Sequence, residues 1–141
     1  MEEPPTKPVD PLGHGAFADP RALLHGVPFD VDGAKQRLEA NGGGYEIIHT
    51  SPGLEIGVYV LWAPEPDHQQ PHADDEVYIV LEGWGTLDVE GTSIPLEPGR
   101  AAFVPAGAQH QFVGYEQLSV LVIFARHGQA EKALDNLRVP A

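Results

Sequence analysis

The chain has 141 residues, no cysteine, and 21 acidic residues against 8 basic ones, for a formal net charge of −13. Such a surface cannot neutralise a phosphate backbone or an anionic bilayer, so neither nucleic acid nor membrane is expected as a partner. Without thiols, disulfides, thiolate metal ligands and a thiol nucleophile are all excluded, and any metal site must use nitrogen and oxygen donors.

The length suits one domain with a real core. Met1-Glu2-Glu3-Pro4-Pro5 has neither a basic n-region nor an apolar h-region, which leads to the expectation of a cytoplasmic protein. Residues 1–20 contain Pro4, Pro5, Pro8, Pro11 and Pro20 and read as an extended arm, leaving 21–141 as the domain. A short helix is predicted between Val31 and Ala40, with Asp32 as N-cap and Gly42-Gly43-Gly44 ending it.

From Gly44 the pattern becomes short β runs with turn punctuation. These are Tyr45 to Thr50, then Leu54 to Trp62 with Leu54, Ile56, Val58, Val60 and Trp62 on one face, then Glu76 to Leu81 ending at Glu82-Gly83. Thr86 to Glu90 and Thr92 to Leu96 form a hairpin about Glu90-Gly91, and Glu97-Pro98-Gly99 turns the chain again. Ala101 to Val104, Gln109 to Val113 and the apolar run Leu118 to Ala125 complete the set, and a closing helix is predicted over Glu131 to Leu137. Many short strands at near-regular spacing mean a sandwich or barrel.

The residues that carry chemistry lie in Gln70-Pro71-His72-Ala73-Asp74-Asp75-Glu76, with His110 downstream. Strand alternation lets Gln70 and His72 point inward together, and Glu76 joins them if the chain re-enters the strand in phase. His110 must arrive from another strand by sheet closure. Imidazoles with a carboxylate suit a divalent Zn, Mn, Fe, Ni or Co ion and leave positions open on it. His68 shares the parity of Gln70 and is an alternative donor. The plainer reading is a pair of satisfied interior histidines, with Glu76 against one of them. Asp74 and Asp75 read as a solvated turn, and His14, His25, His49 and His127 as surface or core residues.

This spacing resembles the cupin superfamily. Its first motif runs Gly, five residues, His-x-His, three or four residues, Glu, six residues, Gly; here His72, Glu76 and Gly83 keep the intervals. Its second runs Gly, five residues, Pro-x-Gly, two residues, His, three residues, Asn; here Gly99, Pro105-Ala106-Gly107 and His110 keep them. The resemblance covers about residues 54–125. Pro64 stands in place of the opening Gly, Gly114 in place of the final Asn, and Gln70 in place of the first metal-binding His. It implies an all-β, single-domain double-stranded β-helix, or jelly-roll barrel, with short terminal helical segments. It also implies a divalent metal held by Gln70, His72, Glu76 and His110, and a homodimer.

Tyr78 and Val80 continue the parity of Glu76, and Phe112 that of His110, which implies a small apolar pocket for a small organic ligand. Only one of the two faces of the Leu54–Trp62 run can line it, because Tyr59 opposes the apolar stripe. A metal-dependent enzyme of dioxygenase or isomerase type and a non-catalytic small-molecule-binding module both follow from the resemblance. Tyr78 is the nearest acid or base by parity. A two-barrel storage protein does not fit a chain of this length.

Overall fold

The computed structural model describes residues 26, 28–67 and 71–125. One helix, α1 (Val31–Ala40), precedes β1 (Gly44–Ser51), β2 (Leu54–Trp62), β3 (Asp75–Gly83), β4 (Gly85–Val89), β5 (Thr92–Leu96), β6 (Ala101–Val104), β7 (His110–Val113) and β8 (Gln117–Ala125). The proline-rich arm and the closing helix predicted over Glu131 to Leu137 lie outside the described residues. No described helix is long and apolar enough to cross a membrane.

The strands form two antiparallel sheets, ordered β1-β2-β8-β3-β6 and β5-β4-β7. β8 is central to the larger sheet, and its Leu118, Ser119 and Val120 are all buried, as its unbroken apolar run requires. Between the sheets sits the main core, which includes Tyr78, Leu87, Phe112, Val120, Val122 and Phe124.

A second cluster lies on the outer face of the larger sheet, where Ala34 and Leu38 of α1 cover Ile48, Val58 and Val60. The apolar stripe of β2 therefore meets the helix, while Glu55, Gly57, Tyr59 and Leu61 face the interior. Trp62, the last member of that stripe, is 41% exposed. Arg37 fixes the helix to β1 by a fork to Glu46, at 3.1 Å and 2.7 Å.

The N-cap is Asp30, not Asp32. Its carboxylate accepts from Gly33 N–H at 2.9 Å, and Asp32 falls in the first turn, where it favours the helix dipole. The glycines end the helix as expected: Gly42 N–H bonds the Glu39 carbonyl and Gly43 N–H the Leu38 carbonyl, a Schellman closure in which both have positive φ. Asp30→Ala is expected to destabilise the fold by about 1 kcal/mol, read as a lower urea midpoint, whereas Asp32→Ala has a smaller effect.

Candidate metal centre

Three donors from different parts of the chain converge between the sheets. Glu76 belongs to β3 in the larger sheet, His110 opens β7 in the smaller one, and His72 sits in the segment leading into β3. Strand parity does not place His72. Residues 71–74 are not strand, because β3 begins only at Asp75. The second motif holds His72 instead: Gly107 N–H donates to the His72 carbonyl at 2.7 Å, and Ala106 N–H to Asp75 Oδ1 at 2.8 Å. The Pro105-Ala106-Gly107 turn thus ties the two motifs together, with Gly107 at φ 79° supplying the left-handed corner. Asp74 is buried rather than solvated.

His72 Nε2 lies 3.7 Å from Glu76 Oε1, and His110 Nε2 lies 3.5 Å from the same oxygen. All three ligand atoms fall within 4.8 Å of one another. Donors about 2.1 Å from a shared ion, at right or tetrahedral angles, stand about 3–3.5 Å apart, so a small inward closure would seat one. His110 Nδ1 pairs with the Ala108 carbonyl at 2.9 Å, and a carbonyl only accepts, so the proton sits on Nδ1 and the Nε2 lone pair faces the site. Tyr78 O–H reaches that same nitrogen at 3.2 Å. Glu76 and His110 are buried and His72 is half-buried, which makes His72 the open side. The donor set fits a divalent transition metal.

Gln70 and His68, the competing fourth donors, lie outside the described residues. Of the other histidines, His14, His25 and His127 lie outside them too, and His49 stacks against Phe29 at 5.1 Å, away from the site. Gly114 adopts φ 65°, a left-handed conformation that asparagine also tolerates, so its substitution for the family's Asn preserves the turn.

From His72 a circuit of ring contacts runs round the interior through Phe124, Tyr45, Tyr59, Phe112 and Tyr78 to His110, and the two imidazoles close it at 5.7 Å. Two phenol–carboxylate pairs stand within it, Tyr45 O–H to Glu55 and Tyr59 O–H to Asp67, both at 2.9 Å. Asp67 also accepts from Phe112 N–H at 2.9 Å. Sequence reasoning alone misses both carboxylates. For Glu55 the available signal was Gly57 inside a strand, where a missing side chain marks the close approach of Tyr45.

Burial, then the adjacent Asp67 carboxylate, raises the Tyr59 phenol well above its ordinary value of 10.0. Burial, then Asp67 and Glu65, raises Tyr115 as well. A raised folded-state value holds the proton in the native protein, so this stability is complete below about pH 10 and is lost as pH rises beyond it. Tyr59 is expected to keep its proton until alkaline unfolding, and Tyr115 to titrate later than a free phenol, both read in tyrosinate absorbance. Titration of both at the ordinary phenol value would contradict this.

A cupin-domain family model matches residues 58–124. An uncharacterized protein of Streptomyces coelicolor is 36% identical over 98 residues, covering 69% of this chain and 93% of that protein. The acireductone dioxygenase of Leishmania infantum is 32% identical over 94 residues, covering 61% of this chain; the chain spans 27% of that enzyme's length. Among solved structures, an RmlC-like cupin with a double-stranded β-helix fold from Methanocaldococcus jannaschii superposes with a TM-score of 0.56, at 18% identity, over 64% of this chain and 85% of that one.

Proposed function

The chain belongs to the cupin family, and on that premise we propose that it is a metal-dependent enzyme acting on a small organic substrate, by dioxygenase-like or isomerase-like chemistry. The observation that carries this reading is the convergence of His72, Glu76 and His110 within 4.8 Å, with the lone pair of His110 Nε2, which the Tyr78 hydroxyl meets, on the side of the other two. Two imidazoles and one carboxylate leave positions for a substrate, where a closed structural site would not.

A divalent ion bound there supplies Lewis acidity toward substrate oxygens. The chain's own groups do the rest. Glu76 offsets part of the ion's charge, His110 is fixed in one tautomer by Ala108, and the apolar interior excludes water from the bound substrate. Gln70 is proposed as a fourth, neutral donor, with His68 as its rival. Similarity to the acireductone dioxygenases supports the oxidative branch.

The test is metal analysis of the purified protein with dioxygen-uptake measurement on small hydroxy-carbonyl compounds. Near-stoichiometric metal and metal-dependent turnover are expected. A protein that stays metal-free after incubation with Fe, Mn, Zn and Ni would overturn the proposal. Metal binding without turnover of any such compound would favour a binding module.

We also propose that the protein is a homodimer. Phe103, Val77 and Ile123 form one row on the outer face of the larger sheet, across β6, β3 and β8. Phe103 is 56% exposed, and a second copy would bury that row. A monomer by light scattering would contradict this.

A further inference from the structure

We propose that Tyr78 is a built-in competitor for the metal: in the metal-free protein its hydroxyl holds the His110 nitrogen that an ion must take, and it thereby lowers the affinity of the site. This rests on the metal-centre reading above, since it concerns how that same site fills. The Tyr78 hydroxyl lies 3.2 Å from His110 Nε2, nearer than the Glu76 carboxylate oxygen at 3.5 Å. Because Nδ1 carries the ring proton and donates to the Ala108 carbonyl, Nε2 has one lone pair and the phenol is the donor to it. One lone pair serves one partner. A divalent ion sits about 2.0–2.1 Å from an imidazole nitrogen. A hydroxyl 3.2 Å out along the same lone pair stands inside the space that ion needs. Nε2 therefore exchanges one bond for the other when metal enters.

The packing keeps the phenol at this post. Tyr78 lies two residues beyond Glu76 on β3, so strand alternation sends both side chains to the inner face. Its ladder partners are Ala102 of β6 on one side and Val122 of β8 on the other, both buried. Across the interior, the Phe112 ring of β7 meets the phenol ring edge-on at 4.8 Å and 74°. Phe112 and His110 stand two residues apart on the same strand. The strand that carries the metal ligand therefore also packs against the side chain that competes with the metal.

Tyr78 has no exposed surface, and giving up a hydrogen bond in such surroundings is costly. That cost is subtracted from the binding free energy of whatever ion enters. It belongs to the protein and not to the ion, so it is the same for zinc as for nickel. In return, the metal-free site has a hydrogen-bonded state of its own, with the buried His110 nitrogen satisfied.

Tyr78→Phe removes only the hydroxyl, and its two expected effects have opposite signs. Without metal, the variant leaves the His110 nitrogen short of its donor and melts a few degrees below the wild type. With metal, the ion takes that nitrogen and the loss disappears. Zinc and nickel are each expected to bind severalfold to about tenfold more tightly to the variant, by factors that agree within about twofold. Affinities are read on the full chain by competition with a chromogenic chelator, and metal-free melting by calorimetry. A measurement on the wild type covers a variant that does not fold. Burial and the hydrogen bond slow exchange of the Tyr78 hydroxyl proton, so its NMR resonance is expected without metal and moves upfield when zinc removes its acceptor. Unchanged or weaker metal affinity in Tyr78→Phe would overturn the inference while leaving the metal site standing, and a hydroxyl resonance that bound zinc leaves in place would also overturn it. Failure of the wild type to bind either ion would overturn the metal reading and this inference with it.

Discussion

Glu76→Gln is expected to lower divalent-metal affinity by at least about 100-fold and to erase most of the thermal stabilisation that metal confers. The carboxylate is 1% exposed and stands within 3.7 Å of both imidazole nitrogens, so it supplies the only described anionic donor facing the ion. Substitutions of groups that merely orient a ligand already cost 10- to 100-fold, so loss of the charged ligand lies at or beyond that range. Metal at about 100 times its dissociation constant stabilises the wild type by about 2.7 kcal/mol. For a domain of this size that corresponds to a rise of about 10 °C in Tm. At the same metal concentration a 100-fold weaker site gains only about 0.4 kcal/mol, or a degree or two. Thermal unfolding of both proteins with and without metal checks this directly; an equal rise in both would remove Glu76 from the site.

Gly83→Ala is expected to destabilise the protein by about 2–5 kcal/mol, a large share of a typical domain's stability. Gly83 ends β3 at φ 83°, which costs an L-residue about 1–2 kcal/mol. Its α-carbon also abuts the backbone of β8, where an added Cβ would overlap the Gln117 carbonyl oxygen, an atom that no rotamer change can move. Gly91 is the control. It has nearly the same φ, 84°, but an added methyl there would point into open space at the β4–β5 turn, so Gly91→Ala carries only the conformational cost. Equal urea midpoints for the two variants would contradict the close approach of β3 to β8. This is also the physical content of the glycine that closes the first motif.

Much of the fold was legible in the chain. The β runs could be read because turns announced them: Glu90 and Gly91 both adopt positive φ between β4 and β5, as a tight hairpin demands. The site was legible because backbone geometry fixes its spacing. Gly107 must meet the His72 carbonyl, and His110 must follow Gly107 closely enough to face Glu76 from the other sheet.

What could not be read was which face of β2 turns inward. The sequence left open whether the apolar stripe or the Tyr59 face lines the cavity; the stripe lies under α1, and the interior receives the face bearing Glu55 and Tyr59. A sheet buried on both sides defeats periodicity, because both faces have a partner. Asp30 as cap, the burial of Asp74 and the loop position of His72 depend likewise on contacts that local pattern does not encode. Gln70 stays a proposal, and its replacement by histidine would tighten metal binding if its amide is a ligand.

The most direct measurement of the central claim is anomalous scattering from crystals of the protein grown with nickel or zinc. One peak is predicted between the sheets, about 2.0–2.2 Å from His72 Nε2, a Glu76 carboxylate oxygen and His110 Nε2. A structure with no peak there, and with Tyr78 still hydrogen-bonded to His110 Nε2 in the presence of excess metal, would contradict the account.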